Sequence, residues 1–234
     1  LSSSSAASDV YKRQYLNVPD FYYLTGSTKC GMGYRETNWS LPRAQQILHG
    51  RQNIYDGTWT KTPSMGWMFV PLTEYHGGGP AATIEPLRDH LDAYEAHLAN
   101  NFGAGVQACY RGPRLYDSDE TKAVVKEWVD FYKRYRDILE CDVIHLRRAD
   151  GRDIDGLLHV NPRGKIKGLA MIYNPLDHSI ERKLKLPLYY TGLTDTARIR
   201  EKEGEPKPYK LDRHYNVTVP IRIDAAGVTW LVIE

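Results

Sequence analysis

Hydrophobic and polar positions divide this chain into two stretches with different periods. In the first, short apolar runs alternate with stripes of helical spacing. Trp67, Met68, Phe69 and Val70 form a run long enough for a strand buried on both faces. The run turns polar at Glu74, Tyr75 and His76 and breaks into Gly77, Gly78 and Gly79. Residues 83–101 read as a helix, because Ile84, Leu87, Leu91, Tyr94 and Leu98 recur at helical intervals, with Gly103 and Gly105 as the stop. A short strand is expected at 106–110. Ser118 then caps a long helix with Asp119 and Glu120 in its first turn and Val124, Trp128, Phe131, Tyr135 and Ile138 as its buried stripe. Upstream, residues 15–18 read as the tail of a strand ended by Pro19 and Asp20. Ser40 is expected to cap a helix with Pro42 in its first turn and Ile47, Leu48, Arg51 and Ile54 along its length.

From Val143 onward the helical period disappears. Short segments at 143–147, 154–160, 169–173, 182–188, 217–223 and 228–233 are separated by turn signals such as Asp150-Gly151, Asn161-Pro162 and Asn174-Pro175. This pattern predicts an antiparallel domain of six or more strands packed as a β-sandwich over 142–234. The stretch 15–141 predicts three β/α units, which cannot close a barrel by themselves. They read as the last three of the eight units of a (β/α)8 TIM barrel, an α/β architecture followed by an all-β one. Residues 1–14, LSSSSAASDVYKRQ, resemble translated adapter sequence and are set apart as a non-native leader.

Composition narrows the functional classes. The chain has 234 residues, 41% of them apolar and 26% charged, as in an ordinary globular protein. A net charge of +2 with scattered Lys and Arg gives no support to nucleic-acid binding. No apolar run approaches the roughly 18 residues of a membrane helix. Cys30, Cys109 and Cys141 lie far apart with no CxxC pair, so neither a zinc cluster nor a redox motif is expected. No metal or other cofactor is expected. The compartment stays open, a secreted or periplasmic one included, and so does the oligomeric state.

Candidate chemistry gathers at strand ends, the catalytic face of a β/α barrel. Asp20, Glu36 and Glu74 are the carboxylates placed there, and glycosidic cleavage needs two such groups, one proton donor and one nucleophile or base. Arg35, Asn38, Trp39, Tyr75, His76, Tyr110 and Arg111 are the candidate substrate contacts. Aromatic rings offer apolar faces and polar edges to sugars, and three glycines let backbone approach a ligand closely. Arg111 has Asp117 as an alternative partner. His90 and His97, seven apart on one helix, are expected at the surface. The run Asp150 to Asp155 mimics part of a calcium loop but fits a hairpin turn better.

The YLNVPD strand end, the helix VKEWVDFYKRYRDIL with its Tyr132-Lys133 and Arg136, and the segment VIHLRRADGRDID resemble the α-galactosidase-like glycoside hydrolases. The resemblance implies a β/α barrel leading into a C-terminal β-sandwich, two catalytic aspartates on strands four and six, and a carbohydrate substrate. The sixth-strand position falls near Asp20, whose surroundings depart from the family pattern, and strand four has no counterpart in the chain. A C-terminal piece of a glycoside hydrolase, itself inactive, is therefore expected. The alternative is a non-catalytic carbohydrate-binding protein that stacks sugars on Trp39, Tyr75 and Tyr110.

Overall fold

The protein is described by a computed structural model over residues 39–59, 67–74 and 77–234. Among the described residues, three α-helices and two parallel strands precede eight antiparallel strands. The order is α1 (Arg43–Gly57), β1 (Trp67–Pro71), α2 (Leu91–Gly103), β2 (Gln107–Arg111) and α3 (Asp119–Leu139). Then follow β3 (Asp142–Arg147), β4 (Asp155–Val160), β5 (Gly168–Tyr173), β6 (Ile180–Pro187), β7 (Thr196–Glu201), β8 (Lys207–Lys210), β9 (Asn216–Ile223) and β10 (Val228–Ile233).

β1 and β2 pair in parallel from Trp67↔Gln107 to Pro71↔Arg111, so their C-terminal ends lie level. A six-stranded sheet runs β3-β4-β5-β10-β7-β8, and β6 and β9 form a separate pair. β7 and β8 were not among the segments read from the sequence. β8 is only four residues, KPYK, and carries no apolar alternation.

The six-stranded sheet is the middle layer of the molecule. Every residue of β4 and β5 is buried, because both faces of these strands are covered. One face, with Leu158, Ala170, Ile172, Leu231 and Ile233, meets Leu186, Val217, Val219 and Ile221 of the β6–β9 pair. The other, with Leu169, Met171, Tyr173 and Val232, meets Tyr94, Leu98, Trp128, Phe131 and Tyr135 from α2 and α3. Period-two alternation thus splits one strand between two cores. β9 buries only its inner face, and its strict alternation shows it.

α3 begins where the sequence predicts. Ser118 accepts the Thr121 N–H and Thr121 reciprocates toward the Ser118 N–H, a complete capping box. The other two helices start late. Pro42, not Ser40, takes the N-cap position of α1, and no side chain caps its first turn. The helix expected over 83–101 starts at Leu91 after a 3₁₀ turn, Leu87–His90. Here the Glu85 N–H is drawn to the Leu72 carbonyl at 2.8 Å, and Pro86 holds an extended ψ of 135°. Loop geometry overrides the apolar spacing of Ile84 and Leu87.

The helical layer is fastened to the middle sheet by polar side chains. Arg51 of α1 makes a two-pronged ion pair with Asp155 of β4, at 2.7 and 3.0 Å, with the two side chains 10% and 3% exposed. Its guanidinium also lies 4.9 Å above the Tyr173 ring. His159 of β4 bonds the Gly103 carbonyl at 3.1 Å, and the Tyr173 hydroxyl donates to the Ala99 carbonyl. Gly105, at φ 71°, ends α2 with its Cα pressed on the Leu139 carbonyl. A Cβ there would sit 2.3 Å from that oxygen, so only glycine fits. Asp150 and Gly151 turn the β3–β4 hairpin, with Asp150 accepting the Arg152 N–H and an Arg147 guanidinium N–H.

Candidate functional site

The level ends of β1 and β2 define the site. Alternation sends Met68 and Val70 toward the helices, where both are buried, and sets the half-buried Phe69, edge-on to Trp39, on the opposite face. On β2 the same register leaves Cys109 exposed and places the Arg111 guanidinium 6.0 Å from the centre of the Phe69 ring. Tyr110 points the other way. Its ring meets Tyr94 edge-on at 5.9 Å, and its hydroxyl takes a bond from the Asn101 amide and donates to the His97 carbonyl. Burial drives its pKa well above the ordinary value of 10.0. Tyr110 and Arg111, read together from the sequence, are therefore separated by the pleat. Arg111 belongs to the Phe69 face, and Tyr110 to the core behind it.

Glu74 lies three residues beyond β1 and is exposed. The loops that carry it and Arg111 are stitched together. The Leu72 N–H donates to the Arg111 carbonyl at 2.8 Å, and Arg114 pairs with Glu85 at 3.3 Å. Tyr94 donates to the Leu115 carbonyl at 2.8 Å, while burial pushes its pKa up to about 12 and keeps it a donor. Asp117 is committed elsewhere than to Arg111. It accepts the Arg88 N–H and the Thr121 hydroxyl, which fixes the start of α3 against the loop before α2.

Trp39 does not offer a stacking surface. It is 3% exposed, with its ring edge-on to Phe69 at 6.2 Å and tilted against His97 at 6.1 Å. His97, expected at the surface, is also 3% exposed, and burial lowers its pKa from 6.5 to about 4. It lies on the inner side of α2, where the apolar stripe pulls it in. The glycine run is a structural corner. A Cβ on Gly78 would meet Ala82 at 2.4 Å and the Ser40 backbone at 2.7 Å, and Gly77 and Gly79 hold φ of 73° and 63°. The close approach that glycine permits here is to the chain itself. Gln46, fully buried, closes the corner by donating to the Trp39, Leu41 and Ala82 carbonyls. Nothing in its sequence context marks it.

Asp20, Arg35, Glu36, Asn38, Tyr75 and His76 lie outside the described residues. The described residues set Phe69, Cys109 and Arg111 on one face, and Glu74 follows in the loop after β1. Phe69 and Cys109 were missed in the sequence. Strand alternation opposite Met68 and Val70 is the signal that finds them. Among the described residues no group of three or more His, Cys, Asp or Glu side chains could hold a metal ion, and no helix is long and apolar enough to cross a membrane.

Solved structures show what the fold is similar to. A GH36 α-galactosidase from Geobacillus stearothermophilus, solved with raffinose, matches 80% of this chain at 16% identity and a TM-score of 0.53. The chain shares its fold with part of this α-galactosidase. A GH27 β-L-arabinopyranosidase from the same organism, solved with arabinose, matches 86% of it at 9% identity and a TM-score of 0.53. An α-amylase from Geobacillus thermoleovorans, solved with acarbose, matches 81% at 12% identity and 0.53. The chain spans 24% of the first of these, 44% of the second and 47% of the third. No protein-family model matches the chain, and no curated protein matches it in sequence.

Proposed function

We propose that these residues belong to a glycoside hydrolase that cleaves a glycosidic bond by carboxylate acid/base chemistry. In this reading 15–141 are the last three units of a β/α barrel and 142–234 the β-sandwich that follows it, within a longer enzyme. The observation that carries the reading is the likeness of 80–86% of the chain to carbohydrate-processing enzymes. The Phe69 face of β1 and β2 becomes the barrel interior, and Glu74, at a strand's C-terminal end, stands on the side where barrels carry their chemistry. Arg111 supplies a fixed positive charge and hydrogen-bond donors for sugar hydroxyls or an acidic substituent. Asp20 serves as the partner carboxylate, with Glu36 as the other candidate. Arg35, Asn38, Tyr75 and His76 contact the sugar.

Of the rings named for the non-catalytic alternative, Trp39 is buried and Tyr110 packs, partly buried, against the core. The test is steady-state kinetics of the longer enzyme on a panel of aryl α- and β-glycosides. Asp20→Asn, Glu36→Gln and Glu74→Gln are compared with the parent. Loss of at least one general acid/base or nucleophilic carboxylate is expected to lower kcat by about 10²–10⁴-fold. Undiminished kcat in all three variants would remove these carboxylates from the mechanism.

A further inference from the structure

The aromatic side chains that the fold leaves in solvent are not those of the strand-end face. Tyr189 and Tyr190 are 62% and 61% exposed, on the 3₁₀ turn Tyr189–Thr191 that follows β6. Their exposure is built in rather than incidental. Leu188 before them and Thr191 after them are both fully buried. The Thr191 hydroxyl donates to the Leu188 carbonyl at 2.6 Å and accepts the Leu193 N–H. Gly192 closes the turn at φ 77°. Buried anchors on both sides force the two ring-bearing residues outward.

A third ring completes the feature. The Leu188 N–H donates to the Tyr215 carbonyl at 2.8 Å, which ties the turn to the loop before β9. Tyr215 holds φ 60°, a left-handed conformation that a bulky side chain rarely adopts. Asp212 keeps it there, accepting the His214 and Asn216 N–H groups at 2.8 and 2.9 Å. That conformation sets the Tyr215 ring 5.3 Å from Tyr189, and Tyr190 stands 5.2 Å away on a plane turned by 89°. The result is a notch of nearly perpendicular rings. Neither the Tyr189 nor the Tyr190 hydroxyl has a hydrogen-bond partner among the described residues. Tyr215, half-buried against the aliphatic core, is the fixed wall of the notch, while the exposed Tyr189 and Tyr190 rings fill no core and point to a ligand.

We propose that Tyr189, Tyr190 and Tyr215 form a carbohydrate-binding site on the β-sandwich, separate from the strand-end face and taking a pyranose unit of an oligosaccharide. One ring stacks on the C–H face of the sugar, while the free hydroxyls of the perpendicular rings exchange hydrogen bonds with sugar hydroxyls. Three rings are too small an area for a stable protein interface, which takes roughly 800 Å² from each partner. Phosphate recognition is disfavoured as well, because Asp212 offsets Arg213, whose Nε is engaged with His214. The site does not depend on the glycosidase reading, since it requires no turnover.

The test is isothermal titration of the whole chain with maltoheptaose and with stachyose, alongside Tyr189→Ala, Tyr190→Ala and Tyr190→Trp variants and thermal melts of each. Saturable binding by the parent to at least one sugar is expected, weakened about tenfold or more by either alanine and kept by tryptophan, with melting unchanged. Absence of binding to both sugars, or binding that survives the double variant Tyr189→Ala/Tyr190→Ala, would overturn the proposal.

Discussion

The two faces of the middle sheet are filled with different chemistry. Against the β6–β9 pair the core is aliphatic, made of Leu, Ile, Val and Ala alone. Against the helices it is aromatic, with Trp39, Tyr94, Trp128, Phe131, Tyr135 and Tyr173, and the polar handles of Tyr94, Trp128, Tyr135 and Tyr173 are engaged. Tyr135 donates to Glu203 at 2.7 Å, and Trp128 to Glu95 at 3.4 Å. Two flat sheets close over branched aliphatic side chains of similar length. A helix packed on a sheet leaves uneven gaps that large rings fill, and each buried hydroxyl or indole then needs a partner. The aliphatic face is thus tolerant of chemistry and sensitive to volume. The aromatic face, which also positions β1 and β2, is sensitive to both.

Acid gives the largest expected separation of the two faces. Burial lowers the pKa of both His97 and His159 from 6.5 to about 4, and both lie on the helix side. Between those values the unfolded chain binds a proton that the native state refuses. The stabilisation is therefore complete above pH 6.5 and is lost as pH falls toward 4, by roughly 3 kcal/mol for each histidine. Denaturant titrations across this window are expected to show the loss, and His159→Gln to remove the share of the slope that one proton contributes. A flat profile in the parent would contradict the assignment.

Arg51→Met comes next. It leaves Asp155 buried without its partner and is expected to cost about 3–5 kcal/mol in the same titrations. On the aliphatic face, Leu231→Ala is expected to cost about 2–5 kcal/mol with no change in pH slope. The slope is expected to change in Arg51→Met, because both Asp155 and His97 feel the Arg51 charge, and to stay at the parent value in Leu231→Ala. Ser118→Ala removes the side-chain half of the α3 cap and is expected to cost about 1 kcal/mol, read as a small shift of the melting midpoint.

The same contrast explains what could be read in the sequence. β9 was legible because half its residues face water, so VTVPIRI alternates visibly. β4 and β5 were found as apolar runs between turn signals, but a run buried on both sides does not say which residue serves which core. α3 was legible to the residue, since its cap and stripe agree. The starts of α1 and α2 were not, because Pro42, Pro86 and the Leu72–Glu85 backbone bond act through the loop and leave no periodic trace. The strand-end residues were read from the sequence as one group, without their faces. Tyr110 and Arg111 are neighbours in sequence and lie on opposite sides of the sheet. Trp39 and His97 look exposed in a polar context, yet the apolar stripe of α2 and the Phe69 ring cover them. The rings that do face solvent, Tyr189 and Tyr190, sit in a stretch without motif.

The most direct test of the functional account compares two variants of the longer enzyme on its best aryl glycoside. Glu74→Gln is expected to lower kcat while the melting temperature stays at the parent value, and Leu231→Ala to lower the melting temperature while kcat stays. Full activity in Glu74→Gln, together with full activity in Asp20→Asn, would contradict the assignment of the strand ends as the catalytic face.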